Sequence, residues 1–184
     1  MKKLLALSLC LLISSSVRAT EAPDFNLPGL SGERVQLTAL LEKGPVLLDF
    51  WATWCKPCIK AMPKLEEIHA KYADRGLTVL GVNEDGPRGQ NRIRPFLRGR
   101  NITFPIAIDA DGSVMQRMQV RALPTTILIA PDREIVLREA GLSDGKAIID
   151  ALEVLLPEKK ASKEKEASEE KEASEKKETP DESK

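Results

Sequence analysis

The amino-acid sequence predicts an α/β domain in which a mixed central sheet is flanked by helices on both faces. Short apolar runs typical of buried strands alternate along the chain with segments whose apolar residues recur at helical spacing. The series closes with two strands around a tight turn and a last helix. That order of elements is typical of one layered domain, and 184 residues suit a single domain of ordinary size.

The first part of the domain contains its clearest strand. Residues 23–30 form an extended lead-in, and a short strand at 35–37 follows the turn residues Ser31-Gly32. The apolar run at 46–50, bounded by Gly44-Pro45, predicts a central strand.

A long helix is predicted after the central strand because apolar residues recur there at helical spacing. Gly76 ends this helix, and Pro63 inside it is predicted to kink it. The recurring apolar residues are Ile59, Met62, Leu65, Ile68 and Tyr72.

The second part of the domain continues the alternation of strands and helices. Strands are predicted at 77–82 and 104–108, and the segment 88–99 between them is predicted to be a helix broken or bent at Pro95. The remaining predicted elements are a turn at 109–112, a helix at 113–118, a hairpin of strands 125–130 and 134–137, and a closing helix at 147–156.

Two flanking segments differ in composition from the domain, which is therefore placed at residues 20–157. Residues 1–19 have a positive start, an apolar core and a small-residue exit, the pattern of a secretory signal peptide cleaved after Ala19. The apolar run is short for a membrane span, and an uncleaved anchor or a lipidated Cys10 is the alternative. Residues 158–184 are mostly Lys, Glu, Ala and Ser, which predicts a disordered, solvated tail or a tether.

Cys55 and Cys58 lie where the central strand gives way to the long helix. A helix N-terminus directs partial positive charge at the first sulfur and favours its thiolate form. The two-residue gap lets Cys58 close a short disulfide with Cys55. Strand, aromatic turn, C-x-x-C and helix together are a strong indication of a reactive dithiol.

A purely structural disulfide is the weaker interpretation of this pair. Removal of the signal peptide also removes Cys10, so the exported chain keeps only Cys55 and Cys58. An exported protein lies in a compartment that permits disulfides. A bond between two residues so close in sequence closes a tiny loop and adds little entropic stabilisation.

Several short motifs together resemble a known family. They are Ala22–Phe25, Leu48–Cys58, Met62-Pro63, Gly81–Asn83 and Leu123–Thr125. In these motifs, which run through nearly all of the domain, the chain resembles the exported thioredoxin-fold thiol–disulfide oxidoreductases of the TlpA/ResA/CcmG (DsbE-like) family. The resemblance implies a thioredoxin-like fold with a redox dithiol at one edge of the sheet, and it implies no cofactor.

The resemblance assigns roles to the residues around the dithiol. It makes Cys55 the exposed attacking thiol and Cys58 the buried resolving thiol. It makes Pro124 a cis proline that packs against the disulfide and presents backbone to the client, whereas Pro124 alone suits a trans proline opening a strand. Trp54 and Leu123 would shape the client-binding surface with Pro124, a core aromatic being the alternative for Trp54.

Residues inside and beside the C-x-x-C motif are expected to tune its chemistry. Lys56 places a cation between the cysteines and favours the Cys55 thiolate, and Pro57 is common in reductases of this type. Asp49 is costly to bury ionised, so a desolvated Asp49 would have a raised pKa and could act as acid or base for Cys58. A strand-end Asp that reaches solvent is the alternative.

One position departs from the family pattern. Many members read C-x-x-C-x-x-E-x-P, and Ala61 stands here at the place of the Glu. The acid found in cytochrome c maturation proteins is therefore missing. Asp49 is a candidate substitute, and a role in cytochrome c maturation is left open.

The expected partners are client proteins with disulfides, such as apocytochrome c or a copper-site protein, and a membrane electron donor of the DsbD/CcdA type. The balance of 28 basic and 28 acidic residues gives no reason to expect nucleic acid. We expect no metal site, because zinc needs about four ligands and His69, expected at the surface, is the single histidine.

Four alternatives stay open at this point. The dithiol could bind Cu(I), since soft thiolates suit that ion, or it could donate disulfides as an oxidase. A peroxidase of the same fold would need a Thr where Ala52 stands. The arginine-rich segment 88–100 is interpreted as a solvated helix face, with docking of an acidic client as its alternative.

Overall fold

The computed structural model describes residues 20–156, so the predicted signal peptide and the charged tail lie outside the described residues. Within this range the strands are β1 (Asn26–Pro28), β2 (Arg34–Gln36), β3 (Val46–Trp51), β4 (Thr78–Asn83), β5 (Ile106–Ile108), β6 (Thr125–Ile129) and β7 (Ile135–Ala140). The helices are α1 (Leu37–Leu41), α2 (Lys56–Tyr72), α3 (Gln90–Arg98), α4 (Ser113–Arg117) and α5 (Lys146–Leu155), and a 3-10 turn at Ala73–Arg75 follows α2.

The central sheet is mixed, as the sequence predicts. Its strand order is β5-β4-β3-β6-β7, with β3, β4 and β5 parallel and β6 and β7 antiparallel to their neighbours. All six residues of β3 are buried, which explains why its sequence is nearly continuously apolar. The strands β1 and β2 form a separate two-stranded hairpin.

Helices cover both faces of the sheet, so the predicted fold class is confirmed. On one face α2, α3 and α5 pack over Leu47, Val79 and Leu128. On the other face α1 and α4 pack with the lead-in over Leu48 and Ile127. Because successive residues of a strand point to opposite faces, β3 supplies both cores.

Two predicted boundaries are wrong for reasons that lie far away in the sequence. Leu37 begins α1 instead of ending a strand, because the Asp24 carboxylate accepts the N–H of Thr38 at 3.1 Å and fixes the start of the helix. The last strand continues beyond Leu137 to Ala140, since β6 offers partners along its whole length.

The prolines do not interrupt the helices. Pro63 lies inside the continuous helix α2, and α3 is not broken at Pro95, because that helix continues to Arg98; the predicted kink at Pro63 and the alternative of a bend at Pro95 stay predictions. A proline in a helix removes one backbone hydrogen bond, and the packed apolar faces of α2 and α3 compensate for that loss.

The two ends of the described chain lie at one edge of the sheet, opposite the dithiol. The carbonyl of Thr20 accepts the N–H of Ile135, and β7 pairs there with the end of β6 that lies beside Val46. The carbonyl of Leu156 accepts a hydrogen bond from Arg75, next to the start of β4. Cys55, in contrast, follows the other end of β3.

None of the helices within residues 20–156 is both long enough and apolar enough to cross a membrane.

Candidate active site

The two cysteines lie at the carboxyl end of β3, where the chain turns into α2. They form a disulfide with a Cα–Cα distance of 5.3 Å. Cys55 is the N-cap residue of α2, and its Sγ accepts the N–H of Cys58 at 3.2 Å. The sulfur therefore lies at the positive end of the helix, where a thiolate is stabilised after reduction.

The expectation that Cys55 is exposed is wrong for this disulfide form. Cys55 is 4% exposed and Cys58 is fully buried. The bond to Cys58 and the hydrogen bond at the helix N-terminus hold the Cys55 sulfur against the core cluster that both residues share. Cys55 still keeps the only exposure of the pair, which agrees with its expected role as the first thiol to react.

A polar network holds the segment that precedes Cys55. The Asp85 carboxylate accepts two hydrogen bonds from Thr53, one from the backbone N–H at 3.0 Å and one from the side-chain hydroxyl at 2.6 Å. Asn83, which is fully buried, donates to the same carboxylate at 2.7 Å. The loop after β4 thus fixes the loop after β3, and this role of Asp85 has no local signature in the sequence.

The peptide bond between Leu123 and Pro124 is cis. Pro124 is buried at the start of β6, and its carbonyl accepts the N–H of Gly141 at 2.8 Å. This hydrogen bond brings Leu142, which is 58% exposed, to the loop that carries Pro124. Sequence reasoning missed Leu142, because only the pairing of β6 with β7 shows where it lies.

Trp54 lies on the surface beside the dithiol. It is 65% exposed although it is flanked by Thr53 and Cys55, so the alternative of a core aromatic is wrong. Leu123 is half-buried. Large exposed apolar side chains that are grouped around a functional site indicate a surface for binding another molecule.

Asp49 is buried in the middle of β3 and does not reach solvent. It is 1% exposed, and neither carboxylate oxygen has a hydrogen-bond partner among the described residues. Burial raises the pKa of the Asp49 carboxyl to about 7, because the charged form loses its hydration and gains no hydrogen bond from the described residues.

A small cavity lies against Asp49 on the α2 and α5 side of the sheet. Its walls include Pro124, Thr126 and Ala61, the position where the family pattern has Glu. The cavity therefore brings together a buried acid, the cis proline and the site of the missing acid. The other lining residues are Lys64, Leu65, Ile68, Gly141, Ser143, Gly145 and Ile148.

The remaining predicted residues lie at the surface of the site or away from it. Lys56 and Pro57, between the two cysteines, are exposed in the first turn of α2. His69 is half-buried, and its ring packs edge-to-face with Phe104. Within residues 20–156, no group of His, Cys, Asp and Glu side chains is arranged to hold a metal ion.

The fold and the site define a class of protein: a mixed sheet with a C-x-x-C disulfide at the N-terminus of a helix, and a cis proline just before another strand of the same sheet, is a thioredoxin-fold thiol–disulfide oxidoreductase. Residues 19–138 match the AhpC/TSA family. The chain belongs to this family, and within it to the thiol–disulfide oxidoreductases of the ResA and DsbE type.

Similarity to proteins of known sequence or structure supports this assignment. The thiol–disulfide oxidoreductase ResA of Halalkalibacterium halodurans is 36% identical over 145 residues, covering 78% of this chain and 81% of the relative. ResA of Bacillus subtilis is 32% identical over 140 residues, 75% of each protein. A Chlorobium tepidum structure described as the thiol:disulfide interchange protein DsbE superposes with a TM-score of 0.68 at 31% identity, covering 75% of this chain and 96% of that one.

Proposed function

We propose that the protein is exported and reduces disulfide bonds of client proteins, its Cys55–Cys58 pair becoming oxidised in each reaction. The observation that carries the proposal is the position of the pair at the N-terminus of α2, in the buried cluster against which Leu123, the residue before the cis Pro124, packs. The helix stabilises the Cys55 thiolate, and the exposed Lys56 and Pro57 in the first turn add to this tuning.

The reaction has two steps. The Cys55 thiolate attacks one sulfur of the client disulfide, and the other client sulfur leaves as a thiolate. Cys58 then attacks Sγ of Cys55, so that the mixed disulfide breaks and the client leaves with both of its sulfurs reduced. The dithiol loses two electrons and the client disulfide gains them, and the departing client thiolates take up protons from solvent.

Asp49 is the proposed base for the second step. Cys58 has to lose its proton to become a nucleophile, and a carboxyl whose pKa is about 7 can accept a proton near neutral pH. The cavity supports the idea that Asp49 replaces the missing acid, because Ala61 and Asp49 line the same space from α2 and β3. A carboxyl group at either position would therefore face the same cavity.

The client is proposed to bind across the exposed apolar side chains around the dithiol. Trp54 and Leu142 are exposed on the loops after β3 and β7, and the half-buried Leu123 lies with Pro124 on the loop before β6. Arrangements of this kind suit an extended client segment, because apolar contacts hold the chain without demanding one sequence.

The proposal also includes where the protein works, which donor reduces it and which clients it reduces. The signal-peptide pattern at 1–19 supports a periplasmic location, where a membrane donor of the DsbD/CcdA type would return the protein to its dithiol form. Apocytochrome c and copper-site proteins are the proposed clients.

The first experiment is the reduction potential of the Cys55–Cys58 pair, measured by equilibration with glutathione or dithiothreitol. We expect a value near the thioredoxin end of the scale, about −270 mV. A value near about −120 mV would contradict the reductase role and indicate a disulfide donor. Tight Cu(I) binding by the reduced protein, without reduction of any disulfide substrate, would indicate a copper-binding module instead.

A further inference from the structure

The segment from Arg88 to Arg100 concentrates positive charge on one surface. It contains five arginines and no acidic residue, in a chain whose 28 basic and 28 acidic residues balance as a whole. All five are exposed, while Ile93 and Leu97 of the same helix are buried in the core. The arginines of this surface, called the α3 arginine surface below, are Arg88, Arg92, Arg94, Arg98 and Arg100.

Three members of this surface have side chains without a polar partner. The guanidinium groups of Arg88, Arg92 and Arg98 make no hydrogen bond or ion pair with any residue of the described range 20–156. Several arginines elsewhere donate to oxygens of the chain itself. These are Arg34, Arg75, Arg117 and Arg133.

The other two members hold the surface in place. Arg94 donates to the carbonyl of Leu30, and the Arg100 guanidinium lies 3.8 Å from the centre of the Phe96 ring. Phe96 in turn stacks on Trp51 of β3 with 5.5 Å between ring centres. The α3 arginine surface is therefore attached to a rigid part of the core.

A groove lies beside α3, and Arg94 and Arg98 are the members of the α3 arginine surface that line it. Two hollows lie between α3 and the segment 28–33, and both are lined by Leu30 and Arg94. The hollow that includes Ile108 has a volume of about 310 Å³, and the one that includes Ile106 has a volume of about 380 Å³. Their floor is apolar, with Ile106 and Ile108 of β5. Glu33 is the single acidic residue that lines them.

The groove begins at the edge of the sheet that carries the dithiol. The strands β3, β4 and β5 are parallel, so Cys55, the loop with Asp85 and the end of β5 at Ile108 lie along the same edge. The first hollow is lined by Ile108 and by Gln90 at the start of α3. A protein whose disulfide reaches Cys55 can thus extend along α3.

We propose that the α3 arginine surface binds an acidic segment of the client protein while the client's disulfide reacts at Cys55. The proposal rests on the proposed function as a reductase of client proteins. Guanidinium groups pair with carboxylates through two parallel hydrogen bonds, which makes arginine well suited to recognise acidic side chains. The apolar floor accommodates the side chains between them.

The experiment uses two synthetic peptides, each with one internal disulfide, that differ only in flanking Glu or flanking Lys residues. The full chain is compared with the triple variant R88E/R92E/R98E, whose three side chains make no hydrogen bond or ion pair within residues 20–156, and with the single reversals R88E, R92E and R98E. Lys43→Glu, a single charge reversal at the opposite edge of the sheet next to Gly44, is the matched control for the single variants. Rates are measured at low and high ionic strength.

We expect the unchanged protein to reduce the Glu-flanked peptide at least about tenfold faster in kcat/KM than the Lys-flanked one at low salt. The triple variant should remove or reverse this preference, and high salt should remove it as well. Reduction of a small uncharged disulfide should be the same in the unchanged protein and all the variants.

Three results would overturn the proposal. They are equal rates for the two peptides, an effect of K43E equal to those of the single arginine reversals, and an equal loss on the small uncharged disulfide. A protein that reduces neither peptide nor the small disulfide would contradict the proposed reductase function instead, so the two failures are distinguishable.

Discussion

Asp49 and Asp109 are equally buried, yet their carboxyl groups have opposite surroundings. Each is 1% exposed. Asp109 accepts the N–H of Met115 at 2.8 Å and the hydroxyl of Ser113, and so satisfies the start of α4. Asp49 has no hydrogen-bond partner within the described residues. The hydrogen bonds of a buried acid such as Asp109 contribute to stability, whereas a buried acid without them is costly to keep and is a candidate for a chemical role.

Replacing Asp49 with Asn should have the largest effect. The pKa of about 7 in the folded protein lies above 3.8, the ordinary pKa of a free Asp side chain, so the folded protein binds the proton more tightly. Stability contributed by the protonated carboxyl is therefore lost as pH rises from about 4 to about 7, by roughly 4 kcal/mol at most. D49N should remove this part of the pH dependence of the unfolding free energy, measured by urea denaturation.

The same variant should slow the resolving step. Loss of the base should reduce the rate of Cys55–Cys58 disulfide formation by about 100-fold near neutral pH, measured by acid quenching and thiol alkylation. An unchanged rate would show that Asp49 is not the base for Cys58.

Replacing Asp109 with Ala should destabilise the fold and leave the chemistry of the dithiol unchanged. The N–H of Met115 would lose its acceptor at a buried site, which should lower the unfolding free energy by about 2 kcal/mol at neutral pH. The rate of disulfide formation should not change. Asp111→Ala is the control, because Asp111 accepts from Ser113 at an exposed position and should cost less than about 1 kcal/mol.

Replacing Ala61 with Glu would place a second acid in the cavity of Asp49. Two carboxyls in one enclosed space cannot both ionise easily, so the pKa of Asp49 should rise above 7 by about one unit. Infrared titration of the carboxyl band, compared with D49N, measures this shift. If the Asp49 band does not move, the two positions do not share one electrostatic environment.

Replacing Glu84 with Gln should have the smallest effect. Burial, and then the nearby Asp109, raise the pKa of Glu84 to about 8, although this side chain is partly open to solvent. Stability is therefore lost as pH rises from the ordinary Glu range towards 8, and E84Q should weaken that loss modestly. Thermal unfolding between pH 6 and 9 measures it, and a steeper loss in E84Q would contradict the assignment.

The sequence predicts those features that local patterns determine. The run from Val46 to Phe50 forms β3, and the helix after it carries Cys55 at its N-cap, because apolar runs and helix starts are encoded over a few neighbouring residues. Asp49 is recognisable as unusual for the same reason, since a carboxyl inside an apolar strand is rare.

Features set by distant contacts are not predictable in this way. The start of α1 depends on Asp24, and the place of Thr53 depends on Asp85, 32 residues away. Leu142 joins the site only because Gly141 bonds to the loop of Pro124. The low exposure of Cys55 likewise follows from how the loops pack, which no short motif specifies.

The two ends of the described range determine where the chain leaves the domain. Thr20 is hydrogen-bonded to Ile135 and Leu156 to Arg75, both on the side of the sheet remote from Cys55. Both crossing points are therefore separated from the reactive sulfurs by the length of the central strands, so that a label or a surface coupled directly at position 20 or 156 would leave the dithiol open to an approaching substrate.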